Sequence, residues 1–218
     1  MTAPIKVDVW SDVACPWCFI GKRKFEVGQA ESGVPVEVEY HSFQLDPTTP
    51  VDYEGTHEEY LTGRGFPAGR VAEMDARVIG IAESVGLHYD FDVLQHTNTV
   101  KAHQLLHFAK AQGRQLEMKE RLLAAYFEQG RHVGRDEDLA DLAAESGLDR
   151  EEALQALRDD RYLADVRADE ALARELGIQG VPFFVFQGKY GVSGAQDAAT
   201  FAQVLQQVAS EQDAEVGA

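Results

Sequence analysis

Two cysteines, Cys15 and Cys18, are the only thiols of the chain, and Pro16 and Trp17 separate them. Residues three apart on a helix bring their Cβ atoms to about 5–6 Å of each other. A disulfide needs roughly 3.5–4.5 Å, so a small adjustment lets such a bond open and close. In a protein of cytosolic type, this spacing between a strand and a helix is typical of redox chemistry. The pair therefore predicts reversible thiol–disulfide exchange.

The residues on either side predict where the pair lies. Residues 5–9 alternate apolar and polar as a strand does, and the apolar residues among 19–25 share one face of a helix. Pro16 suits the first turn of that helix, because its missing N–H is no loss there. Cys15 would then face the free N–H groups and positive dipole of the helix start, which favour a thiolate. We therefore expect Cys15 to attack, and Cys18 to be more buried, less ionised and the resolving thiol.

Two other interpretations of the cysteine pair stay open. Structural zinc needs four ligands, and the chain has no second cysteine pair, so His41 or His103 could join only through folding. A permanent disulfide is the other interpretation, although 218 residues can bury a core without such a cross-link. We adopt redox chemistry, with no metal site and no cofactor beyond the cysteine pair.

Charge and hydropathy narrow the possible partners. The chain has 37 acidic and 20 basic residues, a formal net charge of −17 at pH 7, which argues against nucleic acid or an anionic membrane. No run approaches the roughly 18 apolar residues of a membrane span, and residues 1–4 lead into the first strand without an apolar leader. We expect a cytoplasmic protein, because disulfides there are usually transient and catalytic. Its predicted partners are protein or small-molecule thiols and disulfides, with glutathione a possible co-substrate.

The order of the predicted elements is β-α-β, many helices, then β-β-α. The second strand is predicted at residues 34–40, and strand character returns at 181–186 after a section that we expect to hold five to seven helices. A sheet built from both ends must bring Pro182 close to the helix that begins at the cysteines. The helical section is then an insertion that leaves the sheet and returns to it.

These boundaries predict three segments. Residues 1–46 form the first part of an α/β domain, residues 47–177 form the helical insertion, and residues 178–218 complete the α/β domain.

Four blocks of the sequence carry a resemblance to a known family, at residues 11–18, 98–103, 180–186 and 192–196. Through them the chain resembles the thioredoxin fold, and more closely the DsbA-like oxidoreductases with a helical insertion, in particular the FrnE-type branch. The kappa-class glutathione transferases and the 2-hydroxychromene-2-carboxylate isomerases are related to these. The resemblance implies a thioredoxin fold with a mixed sheet and a large all-helical insertion between its second and third strands.

The resemblance also implies roles for particular residues. Cys15 would be the nucleophile and Cys18 the resolving thiol. Val181 and Pro182 would be joined by a cis peptide bond packed against the pair, where an extended substrate can bind as an added strand.

Further residues of the matching blocks are predicted to contact substrate. Pro16 and Trp17, between the two thiols, would face it. Asn98 and His103 would line the site where the insertion meets the cysteine helix.

The resemblance favours a dithiol–disulfide oxidoreductase or isomerase. The alternative is a glutathione-dependent transferase or isomerase, but relatives of that kind keep serine in place of Cys15 and lack the second thiol. A third class is a non-catalytic peptide-binding or chaperone module that uses the cis-proline edge.

Overall fold

The structure is a computed structural model that describes residues 4–216. Residues 1–3, 217 and 218 lie outside the described residues. The predicted domain limits at residues 1 and 218, and most of the predicted lead into the first strand at residues 1–4, fall among them. The described strands and helices are β1 Ile5–Ser11, α1 Pro16–Ser32, β2 Val36–Ser42, α2 His57–Thr62, α3 Ala68–Glu83, α4 Val100–Ala111, α5 Gln115–Phe127, α6 Asp136–Glu145, α7 Arg150–Arg158, α8 Leu163–Glu175, β3 Phe183–Phe186, β4 Tyr190–Ser193 and α9 Ala198–Val216.

The four strands form one mixed sheet in the order β2-β1-β3-β4. β1 runs parallel to β2 and antiparallel to β3, which pairs with β4 in an antiparallel hairpin. The predicted fold class is confirmed, because strands from both ends of the chain share the sheet and the helices α2–α8 lie between β2 and β3 in sequence. β2 begins two residues later than predicted, because Pro35 has no N–H to donate to the strand ladder.

Apolar residues cover both faces of the sheet. On one face, Phe25 of α1 and Phe201 of α9 pack against Phe184 of β3. The close approach of α1 and α9 depends on Gly28, where a Cβ would lie 2.4 Å from the carbonyl oxygen of Ala198. On the other face, β1 and the start of β3 pack against the end of α8 and the residues that follow it.

A second core lies among the inserted helices, and α1 joins it. Phe19 and Ile20 of α1 are fully buried among side chains of the insertion, whereas Phe25 of the same helix belongs to the sheet core. The helix that begins at the cysteines is therefore fixed between two cores. The seven inserted α-helices agree with the predicted five to seven, and the exact domain limits stay a prediction.

No helix in the range 4–216 combines the length and the apolar character that crossing a membrane requires.

Candidate active site

The two cysteines lie at the first turn of α1. Cys15 is the N-cap residue, with extended backbone angles (φ −99°, ψ 113°), and Pro16 follows as the first helical residue. The Cys18 N–H donates to the Cys15 carbonyl over 3.0 Å. Both residues are free thiols, 3% and 2% exposed. The predicted position of Cys15 at the start of the helix is confirmed, and Cys18, expected to be the more buried of the two, is buried to almost the same degree as Cys15.

The loop before β3 packs directly against this turn. The Val181–Pro182 peptide bond is cis, and the Cys15 Sγ donates to the Val181 carbonyl oxygen over 3.6 Å. A Cβ at Gly21 would lie 2.9 Å from Cγ of Pro182, so glycine at this position lets α1 touch the proline. The structure thus brings Cys15, Val181 and Pro182 together as the resemblance implied.

A buried carboxylate lies behind the pair. Asp12 is 2% exposed, and its oxygens accept from the backbone N–H of Val13 over 2.7 Å and of Leu45 over 2.8 Å, and meet Nε2 of His103 at 3.2 Å. Burial raises the pKa of the Asp12 carboxyl, but the contacts with His103 and Leu45 outweigh it and hold that pKa below its ordinary value. Asp12 is therefore a buried, ionised group next to the redox pair.

A buried lysine reaches the same place from the insertion. Lys119 of α5 is fully buried, and its Nζ donates to the Ser11 carbonyl oxygen over 3.5 Å. Burial lowers the pKa of Lys119 to about 8, although the charges of Cys18 and Asp12 oppose the change. Sequence reasoning missed Lys119, yet a signal was present, because the residue precedes the buried Leu122 by three positions in the apolar stripe of α5.

The two buried thiols are in hydrogen-bond contact, so the protonation of each depends on that of the other. The hydrogen bond from Cys18 and burial raise the pKa of the Cys15 thiol well above its ordinary value. Burial opposes ionisation of Cys18 too, but the hydrogen bond from Cys15 and the charge of Lys119 outweigh it and lower the pKa of the Cys18 thiol. The reduced pair therefore holds one negative charge more easily than two, because a second thiolate would meet the like charge of the first. The expectation that Cys15 is the more ionised thiol stays a prediction.

The two predicted lining residues of the insertion, His103 and Asn98, make hydrogen bonds within the protein. His103 is fully buried and faces Asp12 at 3.2 Å, so it exposes no surface in this structure, and its contact with substrate stays a prediction. The amide of Asn98 donates to the carbonyl oxygens of Pro47 at 2.9 Å and Thr49 at 3.1 Å. It ties the loop after β2 to the start of α4, and its contact with substrate stays a prediction.

Pro16 and Trp17 do face open space. Trp17 is 37% exposed, and both residues line a cavity of about 410 Å³ between the cysteine helix and the segment α2–α3. Both residues therefore lie on an accessible side of the pair, and their contact with substrate stays a prediction.

A separate polar cluster joins the sheet to α8. Asp8, Glu39 and His41 are the group in the described range whose ligand atoms could together hold a metal ion. Nζ of Lys6 lies 3.0 Å from Asp8 and 3.4 Å from Glu39, so a cation already balances these carboxylates. His41 continues the cluster, with Nδ1 2.8 Å from Oδ1 of Asp169 on α8.

The sheet topology, the dithiol at the start of α1 and the cis-proline beside it define a thioredoxin-fold protein of the dithiol type. The family description "DSBA-like thioredoxin domain" matches residues 6–206. The chain therefore belongs to the DsbA-like thioredoxin family.

Individual proteins agree with this assignment. The chain is 30% identical over 211 residues to the uncharacterized protein YwbO of Bacillus subtilis (strain 168), covering 94% of this chain and 96% of that protein. The crystal structure of the probable DsbA oxidoreductase SCO1869 from Streptomyces coelicolor is similar with a TM-score of 0.85 at 39% identity, over 93% of this chain and 89% of that one. The structure of a 2-hydroxychromene-2-carboxylate isomerase shares the fold, with a TM-score of 0.70 at 15% identity, over 97% and 98% of the two chains.

Proposed function

We propose that the chain is a cytoplasmic dithiol–disulfide oxidoreductase or isomerase of the FrnE-type branch, acting on thiols and disulfides of proteins or small molecules. The observation that supports it most directly is the free thiol pair at the start of α1, with Cys15 in contact with the carbonyl of Val181. A strand-like substrate bound along the Val181–Pro182 edge would present its disulfide to that sulfur.

The exchange itself needs two displacements. The Cys15 thiolate attacks one sulfur of the substrate disulfide, a mixed disulfide forms, and the other substrate sulfur leaves as a thiolate that takes a proton. The Cys18 thiolate then attacks Cys15, which releases the second substrate thiol and leaves a Cys15–Cys18 disulfide. The same steps in reverse donate a disulfide to a substrate dithiol.

Lys119 and Asp12 have complementary parts in this proposal. Cys15 must lose its proton before it attacks the substrate, and Cys18 must lose its proton before the second displacement. Lys119, with its pKa of about 8, exchanges protons near neutral pH, and its charged form stabilises the thiolate. Asp12 is the negative charge that keeps this lysine from being an uncompensated buried cation.

The test uses the two single serine variants as mutual controls. Cys15→Ser is expected to abolish turnover in insulin reduction and in refolding of a scrambled protein, because no attacking sulfur is left. Cys18→Ser is expected to accumulate mixed disulfides with substrate, seen as a mass increase that a reductant reverses. Full insulin-reducing activity in Cys15→Ser would show that the roles are assigned wrongly.

A glutathione-dependent transferase or isomerase is the second candidate, and the observation that favours it is the cavity beside Trp17, whose apolar lining offers room for the uncharged co-substrate of such a reaction. This candidate predicts that a variant with both cysteines changed to serine still binds glutathione and conjugates it to 1-chloro-2,4-dinitrobenzene. The oxidoreductase proposal predicts that thiol exchange is lost in that variant. A peptide-binding module would instead keep its suppression of client aggregation after loss of both thiols.

A further inference from the structure

The cavity beside the cysteine helix is built mostly from apolar and aromatic side chains. Its floor includes Pro16 and Trp17, and the α2–α3 segment forms its roof. The apolar lining residues of the roof and walls are Leu45, Leu61, Phe66, Met74, Val78, Phe91, Leu94 and Phe127. At about 410 Å³, the space is larger than one amino-acid side chain and lies in the range of small-molecule sites.

The mouth of the cavity is apolar as well. Trp17, Leu45 and Phe66 are 37%, 51% and 41% exposed, and all three also line the interior. Exposed large apolar side chains grouped around a concave site mark a binding surface more strongly than isolated ones do. The aromatic rings of Trp17 and Phe66 offer flat faces on which a planar group can stack.

The polar part of the wall is a linear chain of hydrogen bonds that runs from Asp75 to Tyr126. Oδ1 of Asp75 lies 3.2 Å from Nε2 of His57, whose Nδ1 lies 2.9 Å from Nε2 of His96. Nδ1 of His96 lies 3.0 Å from the hydroxyl of Tyr126. Burial and the neighbouring His57 lower the pKa of His96 to about 3, so its ring is neutral and accepts from one neighbour while donating to the other. Each of these groups already has a polar partner within the cluster, so none of them is free to pair with an anionic ligand.

The charges in the wall also disfavour an anionic ligand. Arg64, the guanidinium of the lining, is paired with Asp46, donates to Oγ1 of Thr49 over 2.8 Å and lies 3.5 Å above the ring of Tyr60. The carboxylates of Asp12, Asp46 and Asp75 line the same space. A carboxylate-rich ligand such as glutathione would lose its hydration here without finding a free cation.

We propose that this cavity binds an uncharged, largely aromatic small-molecule disulfide as the substrate of the thiol pair, an inference that rests on the function proposed above. Pro16 and Trp17 belong both to the cavity and to the turn that holds the cysteines, so a molecule stacked on Trp17 lies beside the pair. Reduction is balanced: one substrate S–S bond breaks, one Cys15–Cys18 bond forms, and the two thiol protons pass to the two product thiols.

The first test compares two aromatic disulfides that differ in charge. 4,4′-Dithiodipyridine is uncharged at neutral pH, and 5,5′-dithiobis(2-nitrobenzoate) carries a carboxylate on each ring. The reduced protein is mixed with each one, and the rate is divided by that of dithiothreitol with the same compound. We expect the normalised rate to favour the uncharged disulfide by about tenfold, because the cavity cannot pair a carboxylate.

Variants of cavity residues test whether the preference for the uncharged disulfide arises in the cavity. Leu61→Trp fills the cavity, and Phe66→Ala removes an aromatic wall at its exposed rim, where folding does not depend on the side chain. Both are expected to lower the normalised rate for dithiodipyridine about fivefold or more and to leave the anionic disulfide within about twofold. Leu172→Trp, at an exposed position on α8, is the matched control and should behave as the unmodified protein.

A redox-inert probe separates binding from chemistry. Nile red, an uncharged planar dye, is titrated by fluorescence, and Leu61→Trp and Phe66→Ala should weaken its binding while Leu172→Trp does not. Equal dye binding and an equal disulfide preference in all variants would overturn the cavity assignment and leave the oxidoreductase proposal standing. If neither disulfide reacts faster than with dithiothreitol while insulin is still reduced, the substrate assignment fails and the proposed function stands; loss of insulin reduction as well overturns both. Equal losses of insulin reduction in both cavity variants would assign the cavity to a side chain of a protein substrate and overturn the small-molecule proposal.

Discussion

Two buried polar networks cross from the α/β domain to the inserted helices, and they differ in how fully their atoms are paired. In one, Asp169 of α8 meets His41 at 2.8 Å, accepts from the Ser42 N–H over 2.8 Å and meets Nε2 of His107 at 3.0 Å. The other network, behind the thiols, is built from Asp12, His103 and Lys119. In it, Nδ1 of His103 has no hydrogen-bond partner among the described residues, and Nζ of Lys119 has one long hydrogen bond, to Ser11, and lies 5.4 Å from the centre of the Tyr40 ring.

This difference in pairing indicates that one network stabilises the fold and the other affects the chemistry of the thiols. A buried charge whose partners are all in place is costly to disturb, whereas one that is incompletely paired has its pKa moved toward neutrality. The network at Asp169 therefore holds the sheet against α8. The network at Lys119 maintains a charge that responds to the protonation state of the thiols, which suits a redox centre.

The largest effect is expected from Asp169→Asn, which keeps the shape of the side chain and removes its charge. We expect the free energy of unfolding to fall by about 3 kcal/mol, because the partly buried His41 would lose one of its two carboxylate partners and the Ser42 N–H would lose a charged acceptor. Chemical denaturation measures this. The thiol exchange rate of the folded variant should stay close to normal, and Asp165→Asn, exposed on the same helix, should change neither quantity. A large loss of activity in folded Asp169→Asn would contradict the distinction between the networks.

The pH dependence of stability should reveal the same network. Burial lowers the pKa of His41, but its hydrogen bonds to Asp169 and Asp8 raise that pKa to about 9, above an unfolded value near 6.5. The contribution of His41 is therefore complete below about pH 6.5 and is lost as the pH rises through 9, on the order of 2 kcal/mol. Melting temperatures measured from pH 6 to pH 9.5 should fall more steeply for the unmodified protein than for His41→Gln. Parallel curves for the two proteins would mean that His41 does not carry this charge.

The smallest effect on folding is expected from Lys119→Met. In contrast to Asp169→Asn, this change should slow thiol exchange and leave stability intact. Loss of the buried cation should raise the lower thiol pKa of the pair and slow thiol exchange at pH 7 about tenfold, while the free energy of unfolding stays level or increases. The pH profile of alkylation by iodoacetamide reports the thiol pKa directly. Lys110→Met, an exposed lysine paired with Glu39, is the matched control. An unchanged alkylation profile in Lys119→Met would remove Lys119 from the redox site.

Local patterns predicted much of the fold. The alternation in β1, proline after Cys15 and the glycines that end the inserted helices act over a few residues, and the structure places those elements close to where they were expected. The cis bond at Pro182 depended on the family resemblance, because sequence alone gives a cis X–Pro bond in only about 5–6% of cases.

The charges around the thiols could not be predicted in the same way. Lys119 is 101 residues from Cys18 in sequence, and only the packing of α5 brings it beside the pair. The predicted ionisation of Cys15 considered the start of α1 alone, whereas the charge of Lys119 also acts on the pair and lowers the pKa of Cys18. His103 was predicted to line the site because its block matches the family, and the sequence did not reveal its burial against Asp12. Both cases have one cause, which is that electrostatics inside a core depends on distant residues.

The origin of Lys119 has a consequence for how such proteins diversify. The cation that tunes the dithiol belongs to the inserted helices and not to the sheet domain that carries the cysteines. A chimaera that exchanged the helical segment between two family members would thus exchange part of the reduction potential as well. The insertion is in this sense an electrostatic component of the reaction centre.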